Sequence, residues 1–568
     1  MSAPSRGAAL GGRRTRSIAA ALIAVASFAA CGDHRAPRPT DGTAPLTISI
    51  EQQSVWVRNF NPLLPPGRSR WPTRDGVYEP LMIYNAMTGA WTPWLATSAT
   101  WSPDLTKLTF TLRDGVRWSD GAPFTADDVV FTFETLRDHP ALDLAHVWGY
   151  VTRVVAIDPH TVELALDRPF VPGLEDLAHQ PIVPAHVWRD VQDPVTFANP
   201  EPVGTGPFTE VRVFRDQVYE LGRNPYYWQP GRPKVAALRF PAYPSNDQAN
   251  LALAIGDVDW AGNFVPAVDR TFLARDREHH GAWSPLVGNM VLLYANTARP
   301  PFGDARVRKA LSMAIDRDRL VDVAMDGMTR PADATGLTDA YATWHDDEAA
   351  RAGWVKHDVA WAEQLLDAAG CPRGDDGIRR GPDGEKLELE LEVVSGWSDW
   401  VRAAQLVARD LGDVGIVAHV RTYDFGAWMS RLQDGTFTLS IGYSLDGPTP
   451  YRFYRTMMGS ETVKRLGELA TSNWHRFGDP QADDLLDAFE RAATPDQQRA
   501  IAVKLQRRFA ETAPAIPLFA NPMWGELSTE LFTGFPDAQH PFARLSPYAE
   551  PDALLVLTAL EPRIETSR

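Results

Sequence analysis

Two hydrophobic periodicities alternate along this chain of 568 residues, and they restrict the folds that it can adopt. Residues 108–118 (LTFTLRDGVRW) alternate apolar and polar side chains, which is the pattern of a strand with one buried face. Residues 151–169 contain two such strands around Asp158-Pro159-His160, which favours an antiparallel hairpin. The first third of the chain is therefore predicted to contain hairpins.

The second half of the chain carries helical periodicity instead. Residues 304–320 (DARVRKALSMAIDRDRL) place apolar residues on one face behind a capping aspartate, Asp304. A second helix is predicted between Asp358 as cap and Gly370 as stop, and a third from about Asp399 to Leu411, followed by two strands. The fold class is mixed, α/β or α+β, and the length predicts about three domains.

The N-terminus has the layout of a signal peptide. Residues 1–30 contain four arginines and no acid, followed by an apolar run too short to span a bilayer as a helix. The run ends in SFAAC, which resembles a bacterial lipobox with Phe28 where leucine or valine is usual. We expect Cys31 to be acylated and residues 31–44 to form a flexible tether, which anchors the protein to a membrane.

Charge and cysteine content exclude several functions. The formal charge is −16, and it becomes −20 without the arginines of residues 1–30, so nucleic acid is not an expected partner. Cys371 is the only cysteine besides Cys31 and is predicted to be a packed residue. Adjacent histidines at 279 and 280 lack metal-ligand spacing, and we predict no metal and no cofactor.

Residues 112–134 (LRDGVRWSDGAPFTADDVVFTFE) hold four aspartates, but their spacing is not that of a calcium loop. Asp114 and Asp120 precede glycines and suit turns, whereas Asp127 and Asp128 suit the first turn of a helix. We predict that this segment is scaffold.

GYSLDG at 442–447 is one residue too long for a nucleophile elbow, so the chain is predicted not to be an enzyme.

Eight strings in order resemble the family 5 extracytoplasmic solute-binding proteins, the oligopeptide- and dipeptide-binding group of ABC importers. They are VYEPLMIYN, LTKLTFTLRDGVRWSDGAPFTADDVVFTFE, PVGTGPF, NPYYW, ALAIGDVDWAG, YANTARPPFGDARVRKALSMAIDRDRL, AEQLLDAAG and APAIPLF. The resemblance implies a two-lobed periplasmic-binding-protein fold of type II, with an inserted domain, a ligand cleft between the lobes and a hinge near VLLYANT and APAIPLF. The implied division is a signal peptide at 1–30, a tether at 31–44, lobe I at 45–75, 185–290 and 515–568, an inserted domain at 76–184, and lobe II at 291–514.

The resemblance also implies a ligand site. Peptide-binding members follow a strand-ending aromatic residue with an aspartate that pairs with the ligand ammonium, and Tyr443 and Asp446 have that spacing. The alternative is that Asp446 only forms a turn with Gly447. Other segments resemble the branch that binds cellobiose and β-glucosides, in which aromatic rings stack on sugars. The remaining predicted ligand contacts are Trp397, Trp400, Trp524, Trp260, Asn61 and Asn296.

The predicted function is that of an extracytoplasmic lipoprotein that captures oligopeptides and delivers them to the permease subunits of an ABC importer. Two alternatives remain open: a binder of cello-oligosaccharides or β-glucosides, and a ligand-sensing receptor. We expect a monomer at the periplasmic side of a membrane or at the cell surface. Binding would shift an equilibrium between open and closed lobes.

Overall fold

A computed structural model of the chain describes residues 38–50, 52–65, 68–69 and 71–564. The predicted leader and Cys31 lie outside the described residues. All elements below belong to the compact unit Thr40–Arg568. Among the helices of the described ranges, none combines the length and the apolar character that crossing a membrane requires.

The strands of this unit are short, and many are fully buried. In chain order they are β1 Leu46–Ser49, β2 Met82–Asn85, β3 Ala90–Pro93, β4 Ala96–Trp101, β5 Lys107–Leu112, β6 Val151–Asp158, β7 Thr161–Leu166, β8 Phe208–Arg215, β9 Val218–Arg223, β10 Ala237–Pro241, β11 Trp260–Ala261, β12 His280–Ala282, β13 Met290–Ala295, β14 Glu388–Val394, β15 Val417–Tyr423, β16 Leu439–Tyr443, β17 Ile516–Ala520, β18 Glu526–Ser528, β19 Phe532–Thr533 and β20 Glu561–Pro562.

The helices are concentrated in the second half of the chain. They are α1 Ala126–Asp138, α2 Gly173–Ala178, α3 Ala185–Trp188, α4 Asn246–Ala254, α5 Ala305–Ala314, α6 Arg317–Arg319, α7 Asp347–Ala350, α8 Val359–Ala368, α9 Ser398–Asp413, α10 Phe425–Asp434, α11 Tyr451–Met458, α12 Pro480–Glu490, α13 Pro495–Thr512 and α14 Asp552–Ala559. Short 3₁₀ and π turns lie between them. The mixed class predicted from periodicity is confirmed.

Three sheets organise the unit. The first has the strand order β12-β18-β11-β1-β10-β9-β8, with β1 parallel to both β10 and β11. The second has the order β15-β14-β16-β13-β17, in which β14 is parallel to β15 and β16, and β13 is antiparallel to β16 and β17. The third, β4-β5-β7-β6, is antiparallel and packs against α1.

The predicted hairpin around Asp158-Pro159-His160 is the pair β6 and β7. The predicted helix caps are also present: the Asp304 carboxylate accepts from the Arg306 amide, and that of Asp358 accepts from the Trp361 amide. The helix predicted over 304–320 ends earlier, at Ala314. Its continuation is interrupted because Asp316 caps a separate short helix, α6.

Two of the four aspartates of residues 112–134, Asp120 and Asp128, act as scaffold, as predicted. Asp128 accepts from the Thr125 and Ala185 amides, both at 2.9 Å, and so fixes the first turn of α1 to α3. Asp120 accepts from the Ala122 amide at 3.0 Å and lies 2.7 Å from the ring nitrogen of His186. The contacts to Ala185 and His186 join this segment to α3, and the other two stabilise its own turns.

The chain passes between the first and second sheets at residues 283–289, after β12, and at residues 521–525, after β17. The two segments are joined because the Asn521 amide and side chain donate to Asn289, each at 2.9 Å. The predicted lobe boundary at 515 differs from the sheet arrangement, since β17 pairs with β13 in the second sheet. The sequence does not reveal this pairing because the two strands are more than 200 residues apart.

Candidate functional site

A cavity of about 370 Å³ lies at the carboxyl ends of β1 and β11 in the first sheet and of β14 and β16 in the second. Carboxyl ends of parallel strands are where open α/β sheets commonly bind ligands. Eight of its lining side chains are aromatic: Trp71, Phe264, Trp397, Trp400, Phe425, Tyr443, Trp524 and Tyr548. We call this cavity the aromatic compartment.

Two pairs of rings in the aromatic compartment pack edge to face, whereas Trp397–Phe425 and Trp400–Tyr443 are tilted. Trp397 lies at the N-terminus of α9 and meets Trp400 with ring centroids 4.8 Å apart and an angle of 81°. Phe264 and Trp524 are 5.3 Å apart at 62°. Edge-to-face contacts fix ring positions. The side chain of Trp397 is half-buried, so part of its ring surface remains accessible.

Several polar side chains that line the aromatic compartment already have hydrogen-bond partners in the protein. Asn246 donates to the Ser398 hydroxyl at 3.3 Å, and Asn521 donates to Asn289 at 2.9 Å. Gln52 likewise donates to a buried asparagine at 3.2 Å. The compartment therefore offers a ligand a large apolar surface and few uncommitted polar groups.

Asp399 is an acid within this aromatic surface. It lies in the first turn of α9, and its side chain is almost fully buried. Burial raises the pKa of its carboxyl to about 6, although hydrogen bonds from the helix amides and from Trp524 oppose the increase. The carboxylate thus connects the start of α9 to the 521–525 segment.

A second cavity, of about 560 Å³, adjoins the first, and both are lined by Arg74, Asn289, Tyr443, Tyr548 and Glu550. The acids that line it among the described residues are Asp75, Glu175, Asp176, Asp446 and Glu550, and its arginines are Arg74, Arg452 and Arg544. We call this cavity the acidic compartment, because its carboxylates outnumber its guanidinium groups. Such a surface favours a cationic ligand group.

Asp446 follows the carboxyl end of β16 and lines the acidic compartment. Its carboxylate accepts from the Ser444 hydroxyl at 2.9 Å, and that hydroxyl is itself held by the Met290 amide at 2.8 Å. The next residue, Gly447, exchanges two hydrogen bonds with the Tyr341 hydroxyl. Burial raises the pKa of the Asp446 carboxyl to about 7, although Ser444 and nearby arginines lower it.

Glu175, on α2, faces Asp446 across the acidic compartment and forms an ion pair with Arg452 of α11 at 2.6 Å. Burial raises the pKa of Glu175 to about 7, with the Arg452 charge opposing the increase and the neighbouring Asp176 and Asp446 adding to it. A Cβ atom at Gly447 would lie 2.2 Å from the Glu175 carboxylate. Only glycine permits this approach.

The structure brings five of the eight predicted ligand contacts to these compartments: Tyr443, Asp446, Trp397, Trp400 and Trp524. Trp260 is fully buried behind Trp71, and its indole nitrogen donates to the Leu545 carbonyl at 2.6 Å. Its predicted place at the cleft is corrected to a place in the core of the first sheet.

Asn61 and Asn296 are also buried, away from both compartments. The Asn61 amide donates to the carbonyls of Pro194 and Phe197, at 2.9 and 2.8 Å. That of Asn296 donates to the carbonyls of Gly435 and Phe437, at 3.0 and 3.1 Å. Their predicted ligand contacts are corrected to loop-bridging contacts, because these amide groups are occupied by backbone carbonyls.

Several other residues that line the compartments were not predicted from the sequence. Glu175, Arg74 and Tyr548 come from segments far apart in the chain. Asp399 and Arg452 lie within SGWSDW (395–400) and DGPTPYRFYR (446–455), close to the predicted contacts Trp397, Trp400 and Asp446. Among the described residues, no group of three or more histidine, cysteine, aspartate and glutamate side chains is arranged to hold a metal ion.

Residues 90–464 match the model of the bacterial extracellular solute-binding proteins, family 5. Protein XP55 of Streptomyces lividans is 30% identical over 412 residues, which is 70% of each chain. Probable di/tripeptide-binding protein 5 of Pseudomonas aeruginosa is 26% identical over 83% of this chain and 89% of its own length. A mannohexaose-bound periplasmic oligopeptide-binding protein from Thermotoga maritima has a TM-score of 0.84 at 25% identity, and covers 92% of this chain and 99% of its own.

Proposed function

Because the chain belongs to family 5 of the bacterial extracellular solute-binding proteins, we propose that it captures oligopeptides outside the cytoplasm and delivers them to the permease of an ABC importer. The names of its relatives support a peptide as ligand, since they include di/tripeptide-binding proteins. The observation that carries the proposal is the carboxylate of Asp446 in a cavity rich in acids.

Asp446 receives the α-ammonium group of the peptide in this proposal. The Ser444 hydroxyl donates to the Asp446 carboxylate and accepts from the Met290 amide. The carboxylate is therefore preorganised to accept charge-assisted hydrogen bonds. The acids around it that are ionised attract a cation before contact is made, although burial raises the pKa values of Asp75 and Glu175 and so reduces their charge. Aspartate in a simple Asp-Gly turn would not need a cavity, a fixed hydroxyl partner and a neighbouring ion pair.

Closure of two lobes around the peptide is the proposed mechanism. The proposed lobes are residues 45–75, 185–290 and 515–568 for lobe I and 291–514 for lobe II, with residues 76–184 inserted, and with β17, at the proposed hinge, paired to β13 of the second sheet. Contacts between them include the Ala267 amide donating to Asp326 at 2.8 Å, and Asn246, which lines the aromatic compartment, donating to Ser398 at 3.3 Å. A ligand that touches both lobes only in the closed state binds that state more tightly than the open one. Its binding therefore shifts the equilibrium toward closure.

The proposed cellular setting is a monomer tethered by acylated Cys31 at the outer face of a membrane, beside the permease. Two acyl chains anchor a protein stably, whereas one binds only reversibly. Mass spectrometry of the membrane fraction tests this proposal: a lipid-modified peptide beginning at Cys31 supports it, and an unmodified Cys31 in secreted protein contradicts it.

A cello-oligosaccharide is the second candidate ligand, favoured by the aromatic compartment. Tryptophan faces stack on the apolar faces of pyranose rings, and one structural relative was solved with mannohexaose bound. The acidic compartment favours the peptide, since a neutral sugar has no cation to place there.

Calorimetric titration of the protein from Gly32 onward separates the candidates. We expect saturable binding of tripeptides with a free amino terminus, much weaker binding of the same peptides after N-acetylation, and no heat with cellotriose or cellotetraose. Binding of the sugars alone would refute the peptide proposal. Absence of binding by both ligand classes would refute both candidates.

A further inference from the structure

We propose that the aromatic compartment makes this protein selective for peptides with an aromatic side chain close to the amino terminus. The inference rests on the proposed function, because it takes the ammonium group at Asp446 as the fixed point. It adds a second point of recognition, namely a ring enclosed by Trp397, Trp400, Phe264 and Trp524.

The two compartments are close enough to bind one short peptide. Tyr443 and Tyr548 line both of them. Tyr443 and Asp446 are three residues apart, so their Cα atoms are separated by no more than about 11 Å. An extended peptide covers that distance in about three residues. The ring that enters the aromatic compartment therefore belongs to one of the first three residues.

The surface of the aromatic compartment matches a ring more closely than an aliphatic chain. Trp397 and Trp400 meet edge to face at 4.8 Å, and Phe264 and Trp524 do so at 5.3 Å. A ligand ring can extend both edge-to-face arrangements, which an alkyl side chain cannot do. Burial of its apolar surface adds to the affinity in either case.

A hydroxyl-rich ring fits the aromatic compartment less well. Asn246, Asn289 and Asn521 have hydrogen bonds within the protein, which leaves the Asn521 Oδ1 atom and the Ser69 hydroxyl as the buried lining groups without a partner among the described residues. The carboxylate of Asp399 is engaged by helix amides and by Trp524. Each sugar hydroxyl that entered without a partner would lose its hydrogen bond to water, which costs affinity. An aromatic side chain has no such requirement.

The test compares Ala-Phe-Ala, Ala-Leu-Ala, Ala-Lys-Ala and Ala-Ala-Ala by calorimetry. We expect Ala-Phe-Ala to bind at least about tenfold more tightly than Ala-Ala-Ala, with Ala-Leu-Ala between them. Trp397→Ala should weaken the binding of Ala-Phe-Ala more than that of Ala-Ala-Ala, so that the ratio of the two affinities falls by at least about threefold. Trp361→Ala is the matched control, because Trp361 is 55% exposed and lines neither compartment.

Thermal unfolding of each variant shows whether it is folded, and Phe425→Leu replaces Trp397→Ala if that variant is not. Equal binding of all four peptides, with no tighter binding of Phe-Ala-Ala or Ala-Ala-Phe, would overturn the inference and leave the proposed function intact. Tightest binding of Ala-Lys-Ala would overturn it in favour of a cationic side chain beside Asp399. Binding of none of the peptides would overturn the proposed function as well.

Discussion

Asp446→Asn is the substitution that tests the proposed ligand site most directly. Asparagine has nearly the same shape as aspartate and keeps an oxygen that can accept from Ser444, whose hydroxyl lies 2.9 Å from the carboxylate. It removes the negative charge. The substitution therefore separates the charge of Asp446 from its part in the turn with Gly447.

The expected loss follows from the type of contact. A hydrogen bond to a charged group contributes about 1.5–3 kcal/mol, which corresponds to a loss of about 10- to 140-fold in affinity. The loss should fall on peptides with a free amino terminus. Their N-acetylated forms have no ammonium group, so their affinity should change by less than about threefold.

The pH dependence supplies an independent signature. Burial raises the pKa of the Asp446 carboxyl to about 7 in the free protein. The ionised carboxylate binds the charged ammonium group, whose own pKa is about 7.7–8.0, so affinity should rise by about three- to fivefold between pH 6 and pH 8. Because the pKa of Glu175 is also raised to about 7, Glu175→Gln is the control that isolates Asp446.

Calorimetric titration at pH 6, 7 and 8 measures both effects on the same protein. Asp446→Asn should bind free-amino peptides weakly and with little pH dependence, whereas Glu175→Gln should keep a pH dependence. An equal loss for free and acetylated peptides would refute the ammonium role and leave Asp446 as a turn residue. Unchanged affinity in Asp446→Asn would refute it as well.

Three further substitutions separate scaffold from site. Trp260→Phe should lower the free energy of unfolding by about 1–2 kcal/mol in denaturant titration, without changing peptide affinity, because it removes a buried hydrogen bond. Asp120→Asn, at the exposed contact with His186, should cost at most about 1 kcal/mol of stability and leave ligand choice unaltered. Glu79 is fully buried and its pKa is raised to about 7. The Glu79 carboxyl keeps its proton to a higher pH in the folded protein than in the unfolded chain. The free energy of unfolding therefore falls as the pH rises from about 4.5 to 7. Glu79→Gln should reduce the loss between pH 5 and pH 8 by about 2–3 kcal/mol, and a variant as pH-sensitive as the original would contradict this.

Local signals predicted local structure well. Asp304 and Asp358 cap helices, and the strands around Asp158 form a hairpin, because these features depend on residues a few positions apart. The division of tryptophans was not predictable in the same way. Trp260 lies in the core whereas Trp397 lines a cavity, although both are tryptophans in segments of similar polarity.

The acidic compartment shows why the rest of the site was missed. Glu175 and Arg452 are separated by 277 positions, and their ion pair requires that α2 lie close to α11 in the folded chain. A glutamate in a six-residue helix has no signal of its own. The closest sequence indication is Gly447, whose lack of a side chain permits the approach of Glu175, and glycine after aspartate is explained equally well by a turn.

Two carboxyl groups of the acidic compartment are partly protonated in the free protein near neutral pH. Burial raises the pKa values of both Asp446 and Glu175 to about 7, so at pH 6 most molecules hold a proton at each. When a peptide ammonium binds the Asp446 carboxylate, the proton held by that carboxyl is released to the solvent. Titrations at pH 6 in two buffers with different ionisation enthalpies should therefore report release of close to one proton per peptide. Asp446→Asn should abolish most of this release, and an unchanged release in that variant would assign the proton to Glu175 instead.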